Sequence, residues 1–420
     1  MHKILESKNP QKAGYVWNML GSMLYAFQSV LILMILTRTV GVEIAGIFSL
    51  ANANANLFIN VGKYGMRNFQ VSDLKKEYSF REYRLSRVIT VVLMLFVSII
   101  YTIFAFLHNS YSMDKALIIL LTCALKIPDA YEDVYIGEYQ RLDRLDVGSK
   151  IMTIRLFFSI LSLAFFVVFS RNLIFSLVIS ILASTVLMIL FIKYTRVIID
   201  DFGKLVLKKV AMLLASCFPL FAAAFLAFYI GNAPKYAIDT NLNDELQAIF
   251  GFISMPLFII GLLNSFIFNP LIYKLSRMWE KNEIKSLVKN IGIQTLLVFI
   301  ITLFCIVGAF LIGIPVLSLL FNIDLSDYKT EFLILLLGGG FLGLSGVYLT
   351  ILTIMRKQNL IVLLYSIVSV LAFLFSSIMV KIYGIIGAVI LYDSLMLVLS
   401  LLFVFAIFIS IEKRIIINKK

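Results

Sequence analysis

The sequence predicts an all-α polytopic membrane protein, with about twelve transmembrane helices in two six-helix bundles. Three observations predict it. The 420-residue chain is 61% apolar and only 15% charged, whereas soluble domains are usually nearer half apolar and a quarter charged. The apolar residues are gathered into long runs rather than scattered. Lysine and arginine alternate between dense and sparse segments from one run to the next.

Windows of about 20 residues place the helices in order. The first, 14–36, has 23 residues without a charge, about 35 Å as a helix and enough to cross a bilayer core. The second, 44–62, is interrupted by Asn52, Asn54, Asn56 and Asn60. The third is 88–107. The fourth, 116–136, carries Lys126, Asp129, Glu132 and Asp133, and the fifth, 148–170, carries Arg155. The sixth is 173–193. The seventh, 210–230, and the eighth, 246–272, contain Pro219 and Pro256, which suit bent helices or simple static kinks. The ninth is 291–319. The tenth, 331–352, contains Gly338-Gly339-Gly340, the eleventh is 360–380, and the twelfth, 384–410, contains Asp393.

With the N-terminus inside, the cytoplasmic segments and their flanks hold 29 of the 37 basic residues. The six external segments hold one each: Arg38, Lys115, Arg171, Lys235, Lys329 and Lys381. That is the positive-inside pattern, so both termini are expected in the cytoplasm and the chain in the inner membrane. The net charge of +13 then follows from topology and contact with anionic membrane lipids, and calls for no nucleic acid. The first span lacks a small-residue cleavage site and is expected to stay in place. Cys123, Cys217 and Cys305 lie in apolar runs without metal or redox spacing.

The loops exclude several classes. The longest external one, Gly231 to Glu245, is too short for a soluble domain. The glycine triplet is not followed by GK[ST], so it reads as close helix packing rather than a phosphate loop. His2 and His108 are peripheral. No metal, cofactor or enzymatic activity is expected, and the chain reads as a transporter. A membrane oligosaccharide polymerase would need a sizeable catalytic loop.

A weak repeat appears at an offset of 202. EIAGIFSL (Glu43 to Leu50) aligns with ELQAIFGF (Glu245 to Phe252), each opening a span after a short external loop. Six spans separate them, which implies parallel repeats about an axis along the membrane normal. The expected division is 1–200 and 201–420, joined by the basic stretch Thr195 to Lys209.

TRTVGVEIAGIFSL, with Arg38 and Gly41, resembles the first-loop motif of Wzx-like polysaccharide flippases, members of the multidrug/oligosaccharidyl-lipid/polysaccharide exporter superfamily. APKYAIDTNLNDELQAIF, from Ala233, is similar to the pattern opening that family's eighth span, with Asn243 where glycine is common. The resemblance covers nearly the whole chain. It implies a MATE-like fold and the movement of undecaprenyl-diphosphate-linked oligosaccharide between leaflets by alternating access, driven by a proton or sodium gradient or by substrate. A multidrug/cation antiporter of the same superfamily is the alternative, and would favour an acidic, aromatic cavity.

Charge within a bilayer costs about 2.5–3.5 kcal/mol on insertion scales, so each such residue needs a reason. Lys126, Asp129 and Asp133 share one helical face, with Glu132 beside them, Pro128 breaking the local ladder and Arg155 a natural partner. They form either an ion-pair cluster joining two helices or a site for a cation, proton or headgroup. Asp393 is a candidate coupling carboxylate. For a lipid diphosphate the expected ligands are cations, Arg67 first, then Lys63, Arg38, Lys126, Arg155 and Lys235. Asn52, Asn56 and Asn60 fall within about 80° on one helix face, with Asn54 turned away. Asn18, Ser22, Tyr25 and Ser29 form a matching stripe on the first span. Amides donate and accept, which suits sugar hydroxyls, although interhelical hydrogen bonding explains each one singly. In the repeat, Asn52 aligns with Ser254, Asn56 with Phe258 and Asn60 with Leu262, so the polar face belongs mainly to the N-terminal half.

Overall fold

The computed structural model describes residues 7, 9–73, 76–109, 111–199, 205–257, 260, 268 and 271–419. Among them there are helices and no strands. The helices are α1 (Pro10–Thr39), α2 (Val42–Lys63), α3 (Met66–Ser72), α4 (Phe80–His108), α5 (Met113–Leu125), α6 (Ile127–Arg141), α7 (Leu145–Ser170) and α8 (Leu173–Thr195). They continue with α9 (Leu207–Asn241), α10 (Asp244–Ser254), α11 (Ile272–Glu280), α12 (Ile284–Gly308), α13 (Ile314–Phe321), α14 (Lys329–Ile354) and α15 (Gln358–Lys419).

Nine helical stretches among the described residues are long and apolar enough to cross a membrane. The last covers Gln358–Ile416 and is broken at Gly384, whose φ of +61° is open to glycine at no steric cost. It therefore accounts for both the eleventh and twelfth expected spans. The fourth expected span is not one of these stretches. It is instead two helices, α5 and α6, meeting at Lys126, with Pro128 in the first turn of α6 where its missing N–H is harmless. The eighth begins with α10, but most of 258–270 lies outside the described residues, as do the repeat partners Phe258 and Leu262.

Local chemistry sets the helix starts. Ser79 and Glu82 form a capping box at α4, and Asn9, Ser112, Asn172 and Asn243 each accept a backbone N–H at their own helices. The repeat is visible here as well. The N-cap of α2 is Gly41 and that of α10 is Asn243, separated by the same offset of 202. Gly41 caps with φ +132° and no side-chain bond, whereas Asn243 takes φ −107° and bonds the Leu246 N–H at 2.9 Å. One position is thus solved by backbone freedom in one copy and by a side chain in the other.

The chain forms two compact units, Met1–Phe225 and Leu226–Lys420, the boundary falling inside α9. In the first, α1 packs on α7, α7 on α8, and α2 on α5 and α4. α2 is the central element, with Ala45, Ala51, Ala53 and Ala55 all buried. In the second, α14 packs on α15 and α12. The glycine triplet of α14 sets that packing. The missing side chain of Gly338 leaves room for Asp393 and Tyr392, and that of Gly340 for Thr302.

Candidate functional site

A charged spine runs along α6 in the first unit. Arg155, from α7, donates through Nε to Glu132 Oε2 at 2.7 Å and through Nη2 to Glu132 Oε1 at 2.5 Å. Nη2 also reaches Asp129 Oδ1 at 2.5 Å, and Nη1 donates to Ser184 Oγ at 2.8 Å. A guanidinium fork of this kind satisfies two carboxylates in a place where an unpaired charge would be very costly. Lys126 Nζ lies 3.6 Å from the second oxygen of Asp129 and donates to Gln28 Oε1 at 3.4 Å.

One turn further along, Asp133 pairs with Arg87 of α4 at 2.8 Å. Arg87 is fully buried, and its Nη1 donates to the Gly62 carbonyl at 2.5 Å. That carbonyl also accepts from Thr90 Oγ1 at 2.8 Å. It needs such donors because α2 stops there, at Tyr64 and Gly65 in the left-handed region, leaving its last carbonyls without helical partners. Arg67, beyond the break, approaches Asp133 at 3.7 Å and donates to Gln140 Oε1 at 3.0 Å. The spine ends in Glu138, which accepts from Gln70 at 2.9 Å and pairs with Arg141 at 2.6 Å.

Beside this spine lies the amide row. Asn56 Nδ2 donates to Asn52 Oδ1 at 3.2 Å, and Asn60 Nδ2 donates to the Asn56 carbonyl at 2.8 Å. Tyr25, from α1, donates its hydroxyl to Asn56 Oδ1 at 3.3 Å, so the two predicted stripes meet. The Tyr25 ring lies under two ammonium groups, Lys126 at 4.5 Å and Lys63 at 5.4 Å from its centroid. Asn52, Asn56, Asn60, Lys63, Arg67 and Tyr25 are all part-exposed. Asn54, by contrast, is fully buried and neither of its amide atoms has a hydrogen-bond partner among the described residues.

The remaining candidates are on α1 and in the second unit. Asn18 is part-exposed and Ser22 exposed on α1. Arg38 lies in the last turn of α1, thirteen residues and about 20 Å of helix from Tyr25. Lys235 and Asp393 belong to the second unit. Arg87 is the residue that sequence reading missed, because the apolar window starts at residue 88 while the helix starts at Phe80. The available signal was Asp133, a third acid on α6 that needed a cation beyond Lys126 and Arg155. No group of three or more metal-ligating side chains occurs among the described residues.

With this layout, solved structures provide a comparison. The lipid II flippase MurJ, in an inward closed conformation, matches with a TM-score of 0.70 at 14% identity, over 92% of this chain and 87% of that one. The chain has the fold of the MATE and MurJ transporters. An inward-facing multidrug resistance MATE family transporter of the MOP superfamily gives 0.66 at 13% identity, over 96% and 99%. A Vibrio cholerae MATE transporter in its bent form gives 0.59 at 13%, over 96% of each chain. No protein-family model and no curated protein sequence matches.

Proposed function

We propose that the protein is a flippase that carries undecaprenyl-diphosphate-linked oligosaccharide across the cytoplasmic membrane by alternating access, coupled to an ion gradient. The observation that carries this reading is the sign of the polar face in the first unit. Five cations, Lys63, Arg67, Arg87, Lys126 and Arg155, stand with three acids, Asp129, Glu132 and Asp133, for a net charge of +2. All three acids are buried and paired with arginine. Lys63 has no ion-pair partner among the described residues and is part-exposed next to the amide row. Such a face suits a phosphorylated lipid bearing sugars, with cations for the diphosphate and amides for the hydroxyls. It offers little to a cationic drug. The fold shared with a lipid II flippase is compatible with this reading.

One observation favours the antiporter instead. Asp393 is a carboxylate within the second unit, and its Oδ1 is buried without a hydrogen-bond partner among the described residues. A cation could neutralise it. The deciding experiment is loss of function. Cells lacking the protein should accumulate lipid-linked oligosaccharide on the cytoplasmic leaflet, and purified protein in liposomes should restore its translocation. Normal outer-leaflet delivery in such cells, with no redundant flippase, would sink the proposal.

A further inference from the structure

Where α2 stops, it meets the first half of α9. Tyr64, which caps the end of α2 in the left-handed region, stacks on Phe221 with ring centroids 4.6 Å and planes 9° apart. Phe221 belongs to a row on α9, with Phe218 at 6.0 Å and Phe225 at 5.7 Å. The three share one helix face through their i, i+3, i+7 spacing. Tyr64, Phe221 and Phe225 are part-exposed, and Phe218 is 52% exposed. We infer that this aromatic row, together with the amide row, is a stacking platform for the sugar nearest the diphosphate of the lipid-linked substrate. The inference rests on the transport reading and assigns to it a sugar subsite.

The contact that starts the row is built into the core of the first unit, to which all of these residues belong. A Cβ on Gly65 would lie 2.7 Å from Leu220 Cβ, so α9 packs directly against the break in α2. One and two turns before Phe221, Cys217 and Leu213 are fully buried in the same cluster as Met66 and Val134. The Tyr64–Phe221 stack is therefore held from both sides rather than left to two mobile rings.

The two rows offer complementary chemistry. Asn60 lies one turn before Tyr64 on α2, and its carbonyl accepts the Tyr64 N–H at 2.8 Å. Phe225 lies one turn beyond Phe221 on α9. In the predicted topology α2 descends to the break and α9 rises from it, so amides and rings leave the contact in the same direction. Asn60 Nδ2 donates to the carbonyls of Asn56 and Leu57. Its Oδ1 and the Tyr64 hydroxyl have no partner among the described residues. A sugar ring has C–H groups on its faces and hydroxyls on its rim. Weakly positive C–H hydrogens meet the negative face of an aromatic ring, while amide and phenol oxygens take the rim hydroxyls. A hydrocarbon tail would use the rings but not the amides. Lys63 and Arg67 flank Tyr64 in the chain, which puts the diphosphate end beside the platform and makes the first sugar its occupant.

The test measures affinities of the detergent-solubilised full chain by native mass spectrometry. The probes are undecaprenyl diphosphate and the same lipid bearing N-acetylglucosamine or galactose. At least one sugar-bearing lipid is expected to bind about fivefold tighter than the bare one. Phe221→Leu and Phe225→Leu keep apolar bulk and remove a ring. Each should lose that gain while binding the bare lipid as the parent does. Phe221→Tyr keeps the ring and should keep the gain. If Phe221→Leu impairs folding, Phe225→Leu carries the test, because its ring lies outside the Tyr64 stack. Equal affinity of the parent for bare and sugar-bearing lipids would overturn the platform and leave the transport reading standing. A full sugar-dependent gain in folded Phe225→Leu would also overturn it. So would an equal loss for every lipid, which would make the rings mere supports for Lys63. A folded parent that binds none of the lipids would instead count against the transport reading itself.

Discussion

Arg155 of α7 holds Glu132 of α6 through two parallel hydrogen bonds, of 2.7 and 2.5 Å, inside the first unit. The pair is almost entirely out of solvent, and Asp129 closes it on the other side. Removing one partner leaves an uncompensated charge, which costs about 3–5 kcal/mol in buried pairs. Arg155→Ala should therefore lower the melting temperature in detergent sharply and reduce folded yield. Glu132→Gln should do so less, because an amide still accepts one bond from the guanidinium. Equal melting of Arg155→Ala and the parent chain would show that the pair is dispensable.

The amide row makes a different prediction. Asn52 and Asn56 are part-exposed, and their bonds to each other and to Tyr25 are long, at 3.2 and 3.3 Å. Interhelical hydrogen bonds in membranes average about 0.6 kcal/mol. The double variant Asn52→Leu/Asn56→Leu should therefore melt close to the parent while losing most oligosaccharide translocation in liposomes. Intact flipping would reduce the row to helix contacts.

Much of this architecture is legible in the sequence, for physical reasons that differ by element. Helices such as α1 and α12 are readable because a bilayer demands a long uncharged run and nothing else about them matters as much. The approach of Arg155 to Asp129 and Glu132 is readable because charges inside a membrane must find opposite charges, and few are available. Arg87 is hidden, because a hydropathy window begins where the apolar run begins, one residue after it. The Tyr64–Gly65 break is hidden too, since only Gly65 of the pair hints at left-handed backbone. Asn54 shows the limit of face geometry. Helical spacing turns it away from Asn52 and Asn56, but cannot tell that the opposite side is a packed interior with no partner for it among the described residues.

The glycine triplet gives a prediction with an internal control on the same helix. A Cβ at Gly338 would overlap the Asp393 carboxylate and the Tyr392 ring, whereas a Cβ at Gly346 would meet nothing within 4 Å. Gly338→Ala should destabilise by about 1–3 kcal/mol through overpacking. Gly346→Ala should be neutral or stabilise by roughly 0.5–1 kcal/mol through helix propensity. Thermal melting of the two variants checks the contrast, and a Gly338→Ala protein as stable as Gly346→Ala would contradict the packing described here.

Lys63 carries the prediction about the diphosphate. It is the cation of the polar face without an ion-pair partner among the described residues, so neutralising it should leave stability nearly unchanged. A hydrogen bond to a charged group contributes about 1.5–3 kcal/mol. Lys63→Gln should thus weaken binding of a polyisoprenyl diphosphate about tenfold or more, and Lys63→Arg should restore most of it. Raising ionic strength should weaken the parent more than Lys63→Gln, because screening acts on the missing charge. Equal affinities for all three proteins would remove Lys63 from the site.

If the proposed transport role holds, Asp393 is the candidate coupling group. Its carboxyl group sits in the space left by Gly338, with Oδ1 buried and without a hydrogen-bond partner among the described residues. A carboxylate inside a membrane with no ion-pair partner among the described residues is unfavourable, and binding a proton or sodium ion relieves it. Relief of this kind, alternating between two conformations of a carrier, is what links an ion gradient to a transport cycle. Asp393→Asn keeps the shape and removes the charge. Its translocation in liposomes should proceed at one slow rate whether or not a proton or sodium gradient is imposed, while the parent responds to one of them. An Asp393→Asn protein that responds to the same gradient as the parent would leave Asp393 a packing residue and move the coupling site elsewhere.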